Sequence, residues 1–217
     1  GFGYSCSKAT AAIIERNIAP LLIGREITSP AEMCAEIQRK MVLQGRYGIS
    51  TFALSGVDIA LWDIVAKAEG VSIASLLDRV RRTEVPAYAS LVRYGNERAV
   101  HYCDKALSDG YDCIKLHEIT MPPIRDCRKA IGSGGKMVVD VNCNWTEEFT
   151  RQAIPELLEM ETFWLEEPIF PPEDFRLLSR LRETGIPIAS GENACTAHQF
   201  AHMLSEDAVD YAKPRIT

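Results

Sequence analysis

Three carboxylates stand at the ends of short apolar runs. Asp140 ends the run in Val138-Val139-Asp140-Val141-Asn142, Glu166 in Phe163-Trp164-Leu165-Glu166-Glu167-Pro168, and Glu192 in Ile188-Ala189-Ser190-Gly191-Glu192-Asn193. Asp140 and Glu166 are 26 positions apart, and so are Glu166 and Glu192. That interval is about one strand-plus-helix repeat, which predicts neighbouring parallel strands with the carboxylates at the same end. One such group is an ordinary solvated strand end; three at one register suit a hard cation such as Mg²⁺, with water and substrate oxygens completing an octahedron. Strand side chains alternate, so Asp140 shares a face with Asn142, and Trp164 with Glu166. The same alternation sends Glu167 to the opposite side and makes Glu166 the expected ligand of the pair.

A second signal lies in Cys113-Ile114-Lys115-Leu116-His117. Lys115 and His117 are two apart on a predicted strand, hence on one face, in the strand before the one bearing Asp140. Alone they read as an exposed lysine and a core histidine. Beside a bound cation, Lys115 is expected to have a lowered pKa and to serve as a base, with His117 as a second base, an acid or a substrate contact. Asn142 and Asn193 are expected to support the ligands by hydrogen bonds, and Trp145 to line the pocket. His198 and His202 are four apart on a predicted outer helix and read as surface residues. Gly132-Ser133-Gly134-Gly135 follows a helix and precedes a strand, the wrong order for a phosphate loop.

The elements that must position these residues fall into two parts. Residues 1–84 read as mostly helical. Ser29, Pro30 and Glu32 form a helix start, with a serine cap and proline in the first turn, and a densely apolar helix covers about 50–69. A short helical turn is expected over 75–82, and the basic run 79–82 reads as a solvated face. From 85 onward, strands are predicted at 85–91, 113–117, 137–142, 163–167, 187–192 and 209–213. Helices are predicted at 97–109, 123–131, 147–160, 172–184 and 197–205. This alternation predicts an α/β fold with a parallel sheet, of the (β/α)8 barrel type, its site at the strands' C-terminal ends. Six units are countable, so the barrel is expected to be truncated after the sixth strand. A flavodoxin-like open sheet is the alternative.

Composition narrows the function. The 217 residues are 47% hydrophobic and 25% charged, with net charge −6. No basic stripe is present, so nucleic acid is not an expected partner, and no uninterrupted apolar run or signal peptide is read, so neither is a membrane. The seven cysteines are scattered without a CxxC pair, which predicts reduced, mostly buried thiols and a cytoplasmic protein.

Together Asp140-Val141-Asn142, Trp164-Leu165-Glu166-Glu167-Pro168, Gly191-Glu192-Asn193, the Lys115/His117 pair and the helical stretch from Gly48 to Asp63 resemble the enolase superfamily, in its mandelate racemase and muconate lactonizing branch. The resemblance covers nearly the whole chain. It implies an α+β capping domain over 1–84 and a modified (β/α)7β barrel over 85–217. It implies Mg²⁺ on Asp140, Glu166 and Glu192, and removal of the proton α to a carboxylate to give a metal-stabilised enediolate. Many members carry Lys-x-Lys where this chain has Lys115 and His117. An acid-sugar dehydratase is the first expectation, with a racemase or epimerase and a sugar-lactone cycloisomerase as alternatives. Lys213 falls where lactonizing members carry a strand-six group. The racemase-type strand-six Asp falls near Arg215, so a dyad built on it is not supported. The substrate implied is a small sugar acid, and the assembly a homo-oligomer. A non-catalytic or truncated family member is the reading of another class.

Overall fold

From Ala89 onward strand and helix alternate: β1 Ala89–Ser90, α5 Asn96–Ser108, β2 Cys113–Leu116, α6 Met121–Ile131, β3 Lys136–Asp140, α7 Glu147–Glu159, β4 Thr162–Glu166, α8 Phe175–Arg182, β5 Ile188–Ser190, α9 Ala197–Ser205 and β6 Tyr211–Ala212. The structure, a computed structural model, describes residues 1–3, 7–77, 82 and 84–214. Cys6, most of the 79–82 basic run and Arg215 lie outside the described residues. Two units divide the chain, Gly1–Val85 and Pro86–Pro214.

In the second unit all six strands are parallel and lie in the order β1-β2-β3-β4-β5-β6. Sequential order is the winding of a (β/α) barrel; a flavodoxin-like sheet would place β1 inside β2 and reverse direction there. Two apolar layers follow from strand alternation. Ile114, Leu116, Met137, Val139, Leu165 and Ile188 face the helices and join Ile124, Leu157, Leu178 and Leu181 in the main core. Cys113, Val138, Trp164 and Ala189 face the other way, with Tyr88 and Phe163 packed on them, as the filling of a barrel interior.

Three consecutive βα loops end in side-chain caps. Thr146 accepts the amide of Phe149 at 3.2 Å, Asp174 that of Leu177 at 2.9 Å and Thr196 that of Gln199 at 3.3 Å. Each cap satisfies an otherwise orphaned helix amide and stops its loop at a fixed point above the sheet.

In the first unit the elements are helical: α1 Ala9–Ile13, α2 Pro30–Lys40, α3 Ile49–Glu69 and α4 Ile73–Leu76. Beyond α1 the chain keeps coiling through a π turn at Ile14–Ile18 and a 3-10 turn at Ala19–Leu21, so Pro20 sits in a change of helix type. Ser29 caps α2 by accepting the Glu32 amide at 3.4 Å, with Pro30 in the first turn. Among the described residues α3 alone is long and apolar enough, by length and composition, to cross a membrane. Asp58 and Asp63 interrupt it, which is why a scan for an unbroken apolar run passes over it. Its Ala53, Leu54 and Leu61 are buried with Ile18, Met33 and Ile37.

Leu165 is fully buried on the helix-facing side of β4. Replacing it with Ala is expected to cost about 2–5 kcal/mol from lost transfer energy and the cavity left behind, measured by urea denaturation.

Candidate active site

The site is assembled by strand register. β3 pairs Met137 with Thr162 but Val138 with Trp164, so Phe163 is an extra residue in β4. Such a bulge shifts a strand by one place. Beyond it Val139 meets Leu165 and Asp140 meets Glu166. The two carboxylates therefore stand side by side on the interior face. On the other flank Lys115 pairs with Val138, two residues below Asp140, and its long side chain reaches up to the acids.

Lys115 Nζ donates to Asp140 Oδ2 at 2.7 Å and to Glu166 Oε1 at 2.8 Å. His117 Nε2 lies 3.3 Å from the same Asp140 oxygen, and its Nδ1 meets the carbonyl of Leu91. The remaining carboxylate oxygens are also engaged. Asp140 Oδ1 accepts the Asn142 amide at 2.9 Å, and Glu166 Oε2 accepts the Trp164 indole at 2.8 Å. Asp140 and Glu166 are at most 2% exposed. Burial alone would push Asp140 up, but hydrogen bonds from His117 and Lys115 and the lysine's charge hold it below its ordinary value. Burial lowers Lys115, yet its bonds to Asp140 and Glu166 outweigh that and raise it. His117 is raised, chiefly by its bond to Asp140. The lowering expected of Lys115 belongs to the state with a bound cation; the two buried carboxylates by themselves favour the ammonium.

A second ammonium stands on the other side of Glu166. Lys213, just past β6, is 3.9 Å from Glu166 Oε2 and donates to the Tyr88 hydroxyl at 3.0 Å. It lies over the rings of Tyr88 and Trp164, at 5.0 and 5.2 Å from their centroids, where the faces of the π systems favour a cation.

Glu192 stands apart from this pair. Glu166 pairs with Ala189, three residues short of Glu192, so the equal sequence spacing does not put the third carboxylate at the same register. β5 ends at Ser190, and Glu192 lies in the loop beyond. Among the described residues no group of three or more His, Cys, Asp or Glu side chains converges as a metal site would require. Asp140 and Glu166 nevertheless fit a hard cation: their oxygens already cradle one, the ammonium of Lys115, from two sides.

Asn142 supports Asp140 through its backbone amide. The alternation that put Asn142 beside Asp140 ends with β3; Asn142 has φ +44° and is exposed. Asn193 is exposed too, its amide 3.7 Å from the Cys143 sulfur. Trp145 is buried in the helix–sheet core and donates to the Ile119 carbonyl at 2.8 Å, so it does not line the pocket. Glu167, assigned by alternation to the opposite side, has φ +47° and is almost fully buried. Its Oε1 accepts the amides of Gly191 at 2.8 Å and Glu192 at 3.1 Å. Burial raises its pKa despite those bonds. His198 and His202 are exposed on α9. Tyr88, Trp164 and Glu167 are the side chains the sequence reading assigned no role. The interior phase of Trp164 was its one visible signal; a tyrosine three residues before a predicted strand end offers none.

Residues 98–217 match the family model described as enolase C-terminal domain-like, and residues 1–78 that of the mandelate racemase and muconate lactonizing enzyme N-terminal domain. Among curated proteins, the putative L-rhamnonate dehydratase of Caldivirga maquilingensis is 26% identical over 226 residues, matching 100% of this chain and 56% of its own length. Among solved structures, the 3,6-anhydro-D-galactonate cycloisomerase of Zobellia galactanivorans superimposes with TM-score 0.89 at 29% identity, over 99% of this chain and 62% of that one. A racemase from Streptomyces coelicolor with bound magnesium superimposes with TM-score 0.83 at 25% identity, over 95% and 64%. The chain thus spans a little over half the length of the relatives it matches.

Replacing Lys115 with Met would leave two buried carboxylates without their cation. The expected loss is about 3–5 kcal/mol in metal-free buffer, shrinking as pH is lowered and the carboxylates protonate. Denaturant melts in the presence of a chelator at two pH values measure both.

Proposed function

The chain belongs to the mandelate racemase and muconate lactonizing enzyme family of the enolase superfamily, and from that premise we propose that it removes the proton α to the carboxylate of a sugar acid or sugar lactone. The observation that carries this reading is the burial of Lys115 between Asp140 and Glu166. Burying three charges together costs desolvation energy that apolar residues would avoid, and perturbed titratable groups gather where chemistry is done.

Asp140 and Glu166, with Glu192 from the next loop, are the residues that would hold Mg²⁺. When bound, the cation supplies positive charge against the second negative charge that develops on the substrate carboxylate as the α-proton leaves. Lys115 is held protonated while Asp140 and Glu166 face it. It can accept the substrate proton only when those carboxylates are otherwise neutralised and its pKa falls. Trp164 fixes the Glu166 carboxylate through its indole, so that group keeps its orientation when Lys115 lets go.

Isomerisation is the finer reading that the site supports best. Lys213 places a second ammonium on the far side of Glu166, where it can return a proton from a direction Lys115 does not serve. Two such groups suit cycloisomerisation or epimerisation, and the cycloisomerase fold match agrees. Dehydration is the second reading, favoured by the place of His117, whose Nε2 lies 3.3 Å from Asp140 Oδ2, beside the site where an acid for a departing hydroxide is needed.

Mg²⁺ is expected to raise the melting temperature of the wild type and to do so much less in Glu166→Gln; equal stabilisation would remove the metal reading. In D2O, turnover of a sugar acid or lactone that is a substrate should introduce one solvent deuterium, at the α-carbon on isomerisation or at the β-carbon of a 2-keto product on dehydration, read by mass spectrometry and NMR, and Lys115→Met should lose this by ~10²-fold or more. Products of unchanged mass composition indicate isomerisation, whereas 2-keto acids short of one water indicate dehydration.

A further inference from the structure

Glu167 takes no part in that chemistry, yet it is 1% exposed. A carboxylate so buried must be satisfied by partners, and its partners come from two neighbouring loops. Oε1 accepts the amides of Gly191 and Glu192 at 2.8 and 3.1 Å. Oε2 faces the Cys143 thiol at 3.6 Å, and the Glu167 carbonyl accepts the Cys143 amide at 2.8 Å. The loops after β3 and β5 are thus tied to one residue at the end of β4.

The backbone records the same constraint. Asn142, Cys143 and Glu167 have φ of +44°, +60° and +47°, left-handed conformations that a non-glycine residue keeps only when its surroundings hold it there. Gly191 has φ +132°, and a Cβ there would come within 2.8 Å of the Phe200 ring. The chain therefore leaves β5 along one path, and the Glu167 carboxylate receives the two amides that follow.

We propose that Glu167 is a positioning residue: by holding the amides of Gly191 and Glu192, its carboxylate sets the point from which the Glu192 side chain reaches a divalent cation at Asp140 and Glu166. The inference rests on the metal reading above. It assigns Glu167 no contact with substrate or cation. The role belongs to the charged acceptor, because bonds from amides to a carboxylate are about twice as strong as those to a neutral oxygen.

The test is calorimetric titration of Mg²⁺ into the wild type, Glu167→Gln, Glu192→Gln and the double variant. Glu167→Gln should bind Mg²⁺ ~10–100-fold more weakly, and the amides of Gly191 and Glu192 should exchange faster with deuterium. The double variant should bind no more weakly than Glu192→Gln alone, since Glu167 acts through Glu192; a merely structural role would add its effect in full. Should Glu167→Gln fail to fold, Glu167→Asp, which keeps the charge but withdraws it by one methylene, is read in the same way. Wild-type affinity within about twofold in the Glu167 variant, or full additivity, overturns the inference alone. A wild type that binds no Mg²⁺ overturns the metal reading, and this inference with it.

Discussion

One ammonium between two carboxylates governs the second unit. Lys115, Asp140 and Glu166 come from three adjacent strands, and each is nearly shut off from water. None of the three could be buried alone. Their mutual neutralisation therefore demands that β2, β3 and β4 keep their registers to within one residue, because a slip turns every side chain of a strand to the other face. The bonds of Trp164 and His117 occupy the remaining directions, so the acids cannot turn away without leaving a donor unpaired. Stability and chemistry are in tension here. The two carboxylates that favour the Lys115 ammonium are also the ones proposed to hold a cation, so the proposed base depends on their being neutralised first.

Strands and loops divide the labour. Asp140, Glu166 and Lys115 stand on strands whose outer faces are locked into a helix-covered core, which fixes their separation. Glu192, Asn142 and Asn193 stand on loops, where position depends on local bonds. Helix caps at Thr146, Asp174 and Thr196 limit how far those loops can drift, and Glu167 joins two of them. This arrangement leaves the C-terminal ends of the strands as the place where groups from many segments meet, which is why such folds carry chemistry there.

Much of this was legible in the sequence. The alternation of apolar runs and helical stretches carried the six strands, their parallel sense and their order. Asp140 and Glu166 were found because their sequence interval equals the pairing offset of the upper part of β3 and β4. Glu192 was placed too closely because β4 and β5 pair with an offset of 23 rather than 26; spacing counts residues, whereas register depends on how many of them the helix and loops absorb. For Asn142 and Glu167, alternation was carried past the last strand residue into backbone with positive φ, where it no longer predicts direction; Trp145 lies on the loop after β3, whose inward or outward sense no spacing encodes.

The bulge at Phe163 has a consequence for how such a chain can change length. Below it, partners on β3 and β4 are 25 positions apart; above it, 26. The ladder is a vernier. Its lower half answers to the packing of α7 and its upper half to the charges at the rim, and the odd residue absorbs the mismatch between the two. A one-residue change in the α7 segment can be taken up there without moving Asp140 relative to Glu166. Straightening the bulge with the chain length unchanged would instead bring Leu165 to the rim and turn the indole of Trp164 outward. The phase of the ladder, rather than the distance along the chain, is what the site inherits.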